Sequence, residues 1–133
     1  MNLYGADGML SAPSSLSLDD RNKSVKENKD NDLEIYERQV LICKAFAHPI
    51  RLKMLDLISE REIGVTELQN ALGISKTNVS QHLSILKSAG VLITRREGKQ
   101  VFCSLAFPEV KQACQLIRKV LQSQINATRR LID

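Results

Sequence analysis

The chain has little of what most catalytic and metal chemistries need. Its 133 residues include only two histidines, His48 and His82, and three cysteines, Cys43, Cys103 and Cys114. The histidines fall on separate predicted helices with no serine or cysteine nucleophile paired to either. No phosphate-cradling glycine loop is present, so the chain does not read as an enzyme. An odd, widely spaced set of cysteines excludes a secreted disulfide framework. The ten residues between Cys103 and Cys114 match neither a zinc-knuckle nor a redox CxxC spacing. No apolar run approaches the roughly 18 residues a membrane span requires, and the N-terminus lacks a basic-then-apolar signal, so the expected compartment is the cytoplasm, with no membrane partner. There are no internal repeats.

What is present is ordinary for a globular domain: 43% hydrophobic and 26% charged residues, enough for one modest core. The net charge of +4 and pI near 9.1 suit a nucleic-acid partner without demanding one. Residues 1–31, rich in Ser, Asp, Asn, Lys and Gly, read as a disordered tail, and residues 32–133 as the folded domain.

Within that domain the apolar spacing predicts a helix from Leu33 to about Ala47, through Tyr36, Val40 and Cys43. Pro49 opens a second helix to about Glu60, burying Ile50, Met54, Leu57 and Ile58 and leaving Arg51 and Lys53 on its wet side. After a short extended link, Thr66 and Gln69 form a predicted capping box for a helix ending at Gly73. Ile74 to Leu92 then carries a capping serine, a buried face of Val79, Leu83 and Leu86 with Ile85 beside them, and a glycine stop. Its opposite face offers Lys76, Thr77, Asn78, Ser80, Gln81 and Ser84, groups that can donate to phosphates and base edges and need no core. A short helix, a tight turn and this stretch make a helix-turn-helix, with the second helix entering the major groove.

Val91 to Arg96 and Gln100 to Leu105 read as strands joined at Glu97-Gly98-Lys99, a hairpin with Arg95, Arg96 and Lys99 gathered at its tip. Such a wing can reach phosphates. Pro108 opens a last helix whose stripe, Val110, Ala113, Cys114, Ile117, Val120, Leu121 and Ile125, is longer than so small a domain can cover. A second copy of the chain is the natural partner. The fold class expected is mainly α with a small β-hairpin: a winged helix-turn-helix dimerising through its first and last helices.

This order of elements, with His48-Pro49, Arg51-Leu52, Thr66-Glu67-Leu68, Val79-Ser80-Gln81-His82-Leu83, Ala89-Gly90-Val91 and Arg95 to Phe102, resembles the ArsR/SmtB family of small bacterial repressors over about Leu33 to Asp133. The resemblance implies a homodimer on double-stranded operator DNA, released by an inducer, with the positions of Lys76, Thr77, Ser80 and Gln81 facing DNA. His82 lies among them but beside core Leu83, so it is either a DNA contact or a packing histidine. The family's Cys-x-Cys metal site has Gly64 and Thr66 in its place, and the last helix has no histidine, so zinc at the usual family sites is not expected. Asp56 and Gln122 stand near the places of the cysteine pair that some relatives use to sense oxidants or persulfide.

Cys43, Cys103 and Cys114 are either small hydrophobes in apolar stripes or, if they converge, a thiol sensor. Three thiolates would suit a soft metal or metalloid such as As(III), and two a disulfide or polysulfide switch. The sequence therefore reads as a homodimeric transcriptional repressor, with possible inducer sensing through thiols. Two other readings stand beside it: a winged-helix module binding protein or RNA, and a regulator without thiol sensing that activates by displacing another DNA-bound protein.

Overall fold

The structure, a computed structural model, describes residues 18–132, with side chains from residue 31 onward. The chain divides into two compact units, Met1–Arg38 and Gln39–Asp133. In order the elements are α1 (Leu18–Phe46), α2 (Pro49–Glu60), β1 (Ile63–Gly64), α3 (Val65–Leu72), α4 (Lys76–Ser88), β2 (Leu92–Glu97), β3 (Gln100–Leu105) and α5 (Glu109–Ile132).

The first helix differs most from the expectation. It begins at Leu18, so residues 18–31, read above as part of a disordered tail, are helical, and the division between units falls inside the helix. No proline or glycine interrupts 18–46. Once the apolar part nucleates a helix, each further residue adds a hydrogen bond at little cost. The rest of the expected tail, residues 1–17, lies outside the described residues.

From Pro49 onward the local signals act as expected. Pro49 opens α2, capped by His48, whose Nδ1 accepts from the Ile50 amide at 3.1 Å. Gly73 ends α3 with a left-handed φ of 65°, its amide donating to the Gln69 carbonyl at 2.9 Å. Ser75 caps α4 by accepting from the Asn78 amide at 3.2 Å. The Thr66–Gln69 capping box does not form. Gly64, paired with Phe102 in the sheet, is itself the N-cap, so the chain passes from strand to helix with no residue left for a side-chain cap.

The hairpin is joined by a third strand. β1 pairs antiparallel with β3, giving the order β1-β3-β2, and the register runs from Leu92 opposite Leu105 to Glu97 opposite Gln100. That leaves Gly98-Lys99 as a two-residue turn, with Gly98 at φ 61°. Two residues of β1 carry no readable alternation; long-range pairing alone makes them a strand.

The core lies where α2, α3 and α4 meet the sheet: Met54, Leu55, Ile58, Leu68, Val79, Leu86 and Leu92, closed by Cys103 and Val110. Two assignments made on spacing change. Arg51 is buried rather than on the wet side of α2, because its guanidinium satisfies backbone carbonyls at the end of α1. Ile85 is 44% exposed rather than on the buried face, since it lies one residue, about 100° of helix, from Leu86. On α5 only Val110 is buried; Leu116, Ile117, Val120, Leu121 and Ile125 are exposed.

Leu86→Ala, at a site with no exposed surface, is expected to cost about 2–5 kcal/mol of folding stability. Ile85→Ala should change it by no more than about 0.5 kcal/mol. Urea denaturation of the two variants measures both.

Candidate nucleic-acid interface

Burial of Val79, Leu83 and Leu86 determines which way every other side chain of α4 points. The outward part divides into two strips. Lys76, Ser80, Ser84 and Lys87, spaced four, four and three residues apart, line an open groove of about 840 Å³ whose far wall is the wing, through Arg96, Lys99 and Gln100. Thr77, Asn78 and Gln81 are exposed and do not line this groove. They form the strip turned away from the core. The groove side therefore gathers cations and hydroxyls, while the outer strip presents two amides and a hydroxyl.

The charge on the groove is available to a ligand. Lys76, Lys87, Arg96 and Lys99 have no ion-pair partner among the described residues. Lys87 was missed by sequence reasoning, although its spacing from Lys76, Ser80 and Ser84 could have found it.

Arg95 corrects the expectation of a three-residue basic wing tip. Strand residues alternate sides, so Arg95 and Arg96 point to opposite faces of the hairpin. The Arg95 guanidinium meets both Glu62 carboxylate oxygens, with Nε at 2.9 Å from each and Nη2 at 2.5 Å from Oε1, and reaches Glu97 at 2.9 Å. It also sits 4.6 Å over the Phe102 ring, its cross-strand partner. These hydrogen bonds hold the Glu62 carboxyl below its ordinary range. Arg95 is thus paired with two carboxylates, and a phosphate would compete with them for its guanidinium. Glu62 lies 33 residues away, beyond any local pattern.

His82 also departs from the free face. It is half-buried, its ring centroid 4.5 Å from that of His48 and its Nδ1 3.4 Å from Arg51 Nη1. This is the packing alternative raised by its place beside Leu83.

The cysteines lie on three different elements and differ in exposure. Cys43 is exposed on α1, Cys103 is fully buried on β3 and Cys114 is half-buried on α5. No group of three or more His, Cys, Asp or Glu residues suited to a metal occurs among the described residues. The three thiols therefore do not form one candidate metal site within a single protomer. Burial, with the Glu62 carboxylate adding to it, pushes the Cys103 thiol up to about 11. Cys114 is also raised, by burial and then by Asp56. It borders a cavity of about 240 Å³ between α2 and α5, where Asp56 is bound by Arg118 at 2.6 Å. Among the described residues no helix is long and apolar enough to cross a membrane.

The family model described as bacterial regulatory protein, arsR family, matches residues 48–94, from the α2 cap into β2. The chain is 35% identical over 83 residues to the transcriptional activator HlyU of Vibrio cholerae, covering 62% of this chain and 77% of that one. It is 30% identical over 105 residues to the biofilm growth-associated repressor of Xylella fastidiosa, covering 78% and 92%. Among solved structures, the homodimeric winged helix-turn-helix DNA-binding domain of Mb0332 from Mycobacterium bovis superposes with a TM-score of 0.69 at 28% identity, covering 74% of this chain and 91% of that one.

The thiol environments predict a labelling order. With a maleimide near pH 8, Cys43 reacts first and Cys114 more slowly. Cys103 stays unlabelled until denaturant is added, because it has no exposed surface and burial raises its thiol as well. Peptide mass spectrometry reads the order.

Proposed function

Since the chain belongs to the arsR family of bacterial regulatory proteins, we propose that this transcriptional regulator is a homodimeric, sequence-specific repressor whose hold on operator DNA is relieved by an inducer. The observation that carries the reading is the two-strip face of α4. A helix braced on α2 and α3 presents Thr77 and Gln81 on its outermost strip. Beside them, four cations line a groove shared with the wing.

In this reading the helix enters the major groove, where an amide such as that of Gln81 can pair with an adenine edge and the Thr77 methyl can meet a thymine methyl. Lys76, Lys87, Arg96 and Lys99 neutralise phosphates and supply the salt-sensitive part of affinity. Arg95 shapes the wing instead of touching DNA.

The uncovered stripe on α5 supports pairing. Leu116, Ile117, Val120 and Leu121 are each more than half exposed, and Val40 and Leu41 of α1 are also open, an apolar area a lone domain rarely leaves to solvent. A two-fold partner covering it would set two α4 helices about one turn of DNA apart. The relatives include one named as an activator and one as a repressor; the same DNA-binding step serves either outcome.

For the inducer, geometry favours the accessible thiols. Cys43 is exposed and Cys114 half-buried beside the cavity between α2 and α5, whereas Cys103 is enclosed by the core. A thiol-sensing mechanism would act through the first two, and a three-thiolate site for a metalloid such as As(III) has no support within one protomer.

Titration of the chain with its own promoter DNA at several salt concentrations tests the reading. Arg96→Ala and Lys99→Ala should each weaken binding to all sequences alike and reduce the slope of log affinity against log salt by about 1. Gln81→Ala should instead reduce discrimination at its base pair by about 1–3 kcal/mol with the slope unchanged. Arg95→Ala should leave that slope as it is. A chain that shows no salt-sensitive, sequence-selective binding is not this regulator.

A further inference from the structure

Behind the DNA-facing strips lies a cluster that they do not use. Arg51, in the first turn of α2, donates through Nε to the Ala45 carbonyl at 2.7 Å and through Nη2 to the Lys44 carbonyl at 3.2 Å. Both carbonyls lie in the last turn of α1, and that of Lys44 also accepts from the Ala47 amide at 3.2 Å. The third nitrogen, Nη1, is 3.4 Å from His82 Nδ1 on α4. His48 completes the group: its Nδ1 caps α2 by accepting from Ile50, and its ring lies against that of His82. One guanidinium thus joins the end of α1 and the body of α2 to the middle of α4.

Hydrogen-bond chemistry defines the protonation state in which this arrangement holds. A guanidinium and a backbone amide can only donate. His82 Nδ1 facing Arg51 and His48 Nδ1 facing Ile50 must therefore both be acceptors, which requires two neutral rings carrying their protons on Nε2. Protonation of His82 places one N–H against another and adds a positive charge beside Arg51.

We propose that the Arg51–His48–His82 cluster is a proton-sensitive positioning device for α4: neutral, it holds the helix in its DNA-docking orientation, and mild acid loosens that hold and lowers affinity for DNA. The inference rests on the reading that α4 docks on DNA, and it adds a regulation to it.

The surroundings point the same way. Burial, above all, holds His82 below the ordinary histidine value of 6.5, with the neighbouring His48 and Arg51 acting in the same direction. The titratable and charged groups facing it are these two, from the α2 cap and α2; α1 contributes the Lys44 and Ala45 carbonyls through Arg51. No carboxylate among the described residues acts on its charge. With the folded value depressed, the unfolded chain takes up the proton first. The stabilising effect is complete above 6.5 and is lost as pH falls below it toward the folded value. The sign also distinguishes this role from direct contact, because an imidazolium against phosphate would strengthen binding in acid.

The test uses the full chain, its promoter duplex and fluorescence anisotropy at constant ionic strength, from about pH 7.5 to about pH 5.5. Wild-type affinity should fall about tenfold more across this range than that of the double variant His48→Asn, His82→Gln. That variant keeps an acceptor at each position and titrates at neither. Arg51→Lys, which keeps the charge and loses the fork, should bind several-fold more weakly even at the upper end, with circular dichroism confirming the fold. In the wild-type chain, nitrogen-15 spectra of its two histidines near pH 7.5 should show both as neutral Nε2–H tautomers. Equal pH profiles for wild type and double variant, acid-strengthened binding, or an Nδ1–H tautomer at His82 would overturn the inference while leaving DNA docking intact. Absence of sequence-selective binding at every pH would overturn the docking reading, and this one with it.

Discussion

The packing of one side of α4 is the constraint from which the rest follows. Val79 and Leu86 are wholly enclosed and Leu83 nearly so, and a helix with three such anchors cannot rotate without exposing them. Turning it to bury another strip would return roughly 1.5–3 kcal/mol of apolar burial per side chain to water. The polar strips therefore face outward without needing any favourable interaction of their own before a ligand arrives. Ser75 and Gly90 set the limits of the helix, and the buried side of α3 through Leu68 keeps the preceding turn against the same core.

The wing obeys a different period with a different result. Two adjacent arginines on a strand cannot serve one surface. Arg96 faces the α4 groove, while Arg95 lies over Phe102 and holds Glu62, fastening the short first strand to the hairpin. A basic wing is thus divided between charge kept for a ligand and charge consumed in shaping the wing. The same division appears in the helices: Arg51 is structural and Lys76 is free, although both are cations in a first helical turn.

The α5 face is an incomplete surface of another kind. Its base is anchored by Val110 and by the ion pairs of Lys111 with Glu60 and Arg118 with Asp56, while the stripe beyond is open. The pairs orient the helix; being solvent-exposed, they add little stability. The apolar stripe left open on α5 is the physical basis of the dimer proposed above.

Local chemistry determined most of the elements. Pro49, Gly73, Ser75 and Gly98 act within a few residues of themselves, so the boundaries of α2, the turn before α4 and the hairpin were legible in the chain. Periodicity likewise determined the inner side of α4 and the long stripe of α5. What depended on residues far apart was legible only in the tertiary structure. It decided that β1 is a strand, that Arg95 is spent on Glu62, that Arg51 is buried against α1 and that His82 turns inward. It decided too that the three cysteines differ in exposure, from open Cys43 to enclosed Cys103. Sequence spacing reports which residues share a side of one element; it carries no distance between elements, and that distance determines whether a charge meets a partner or is left for DNA.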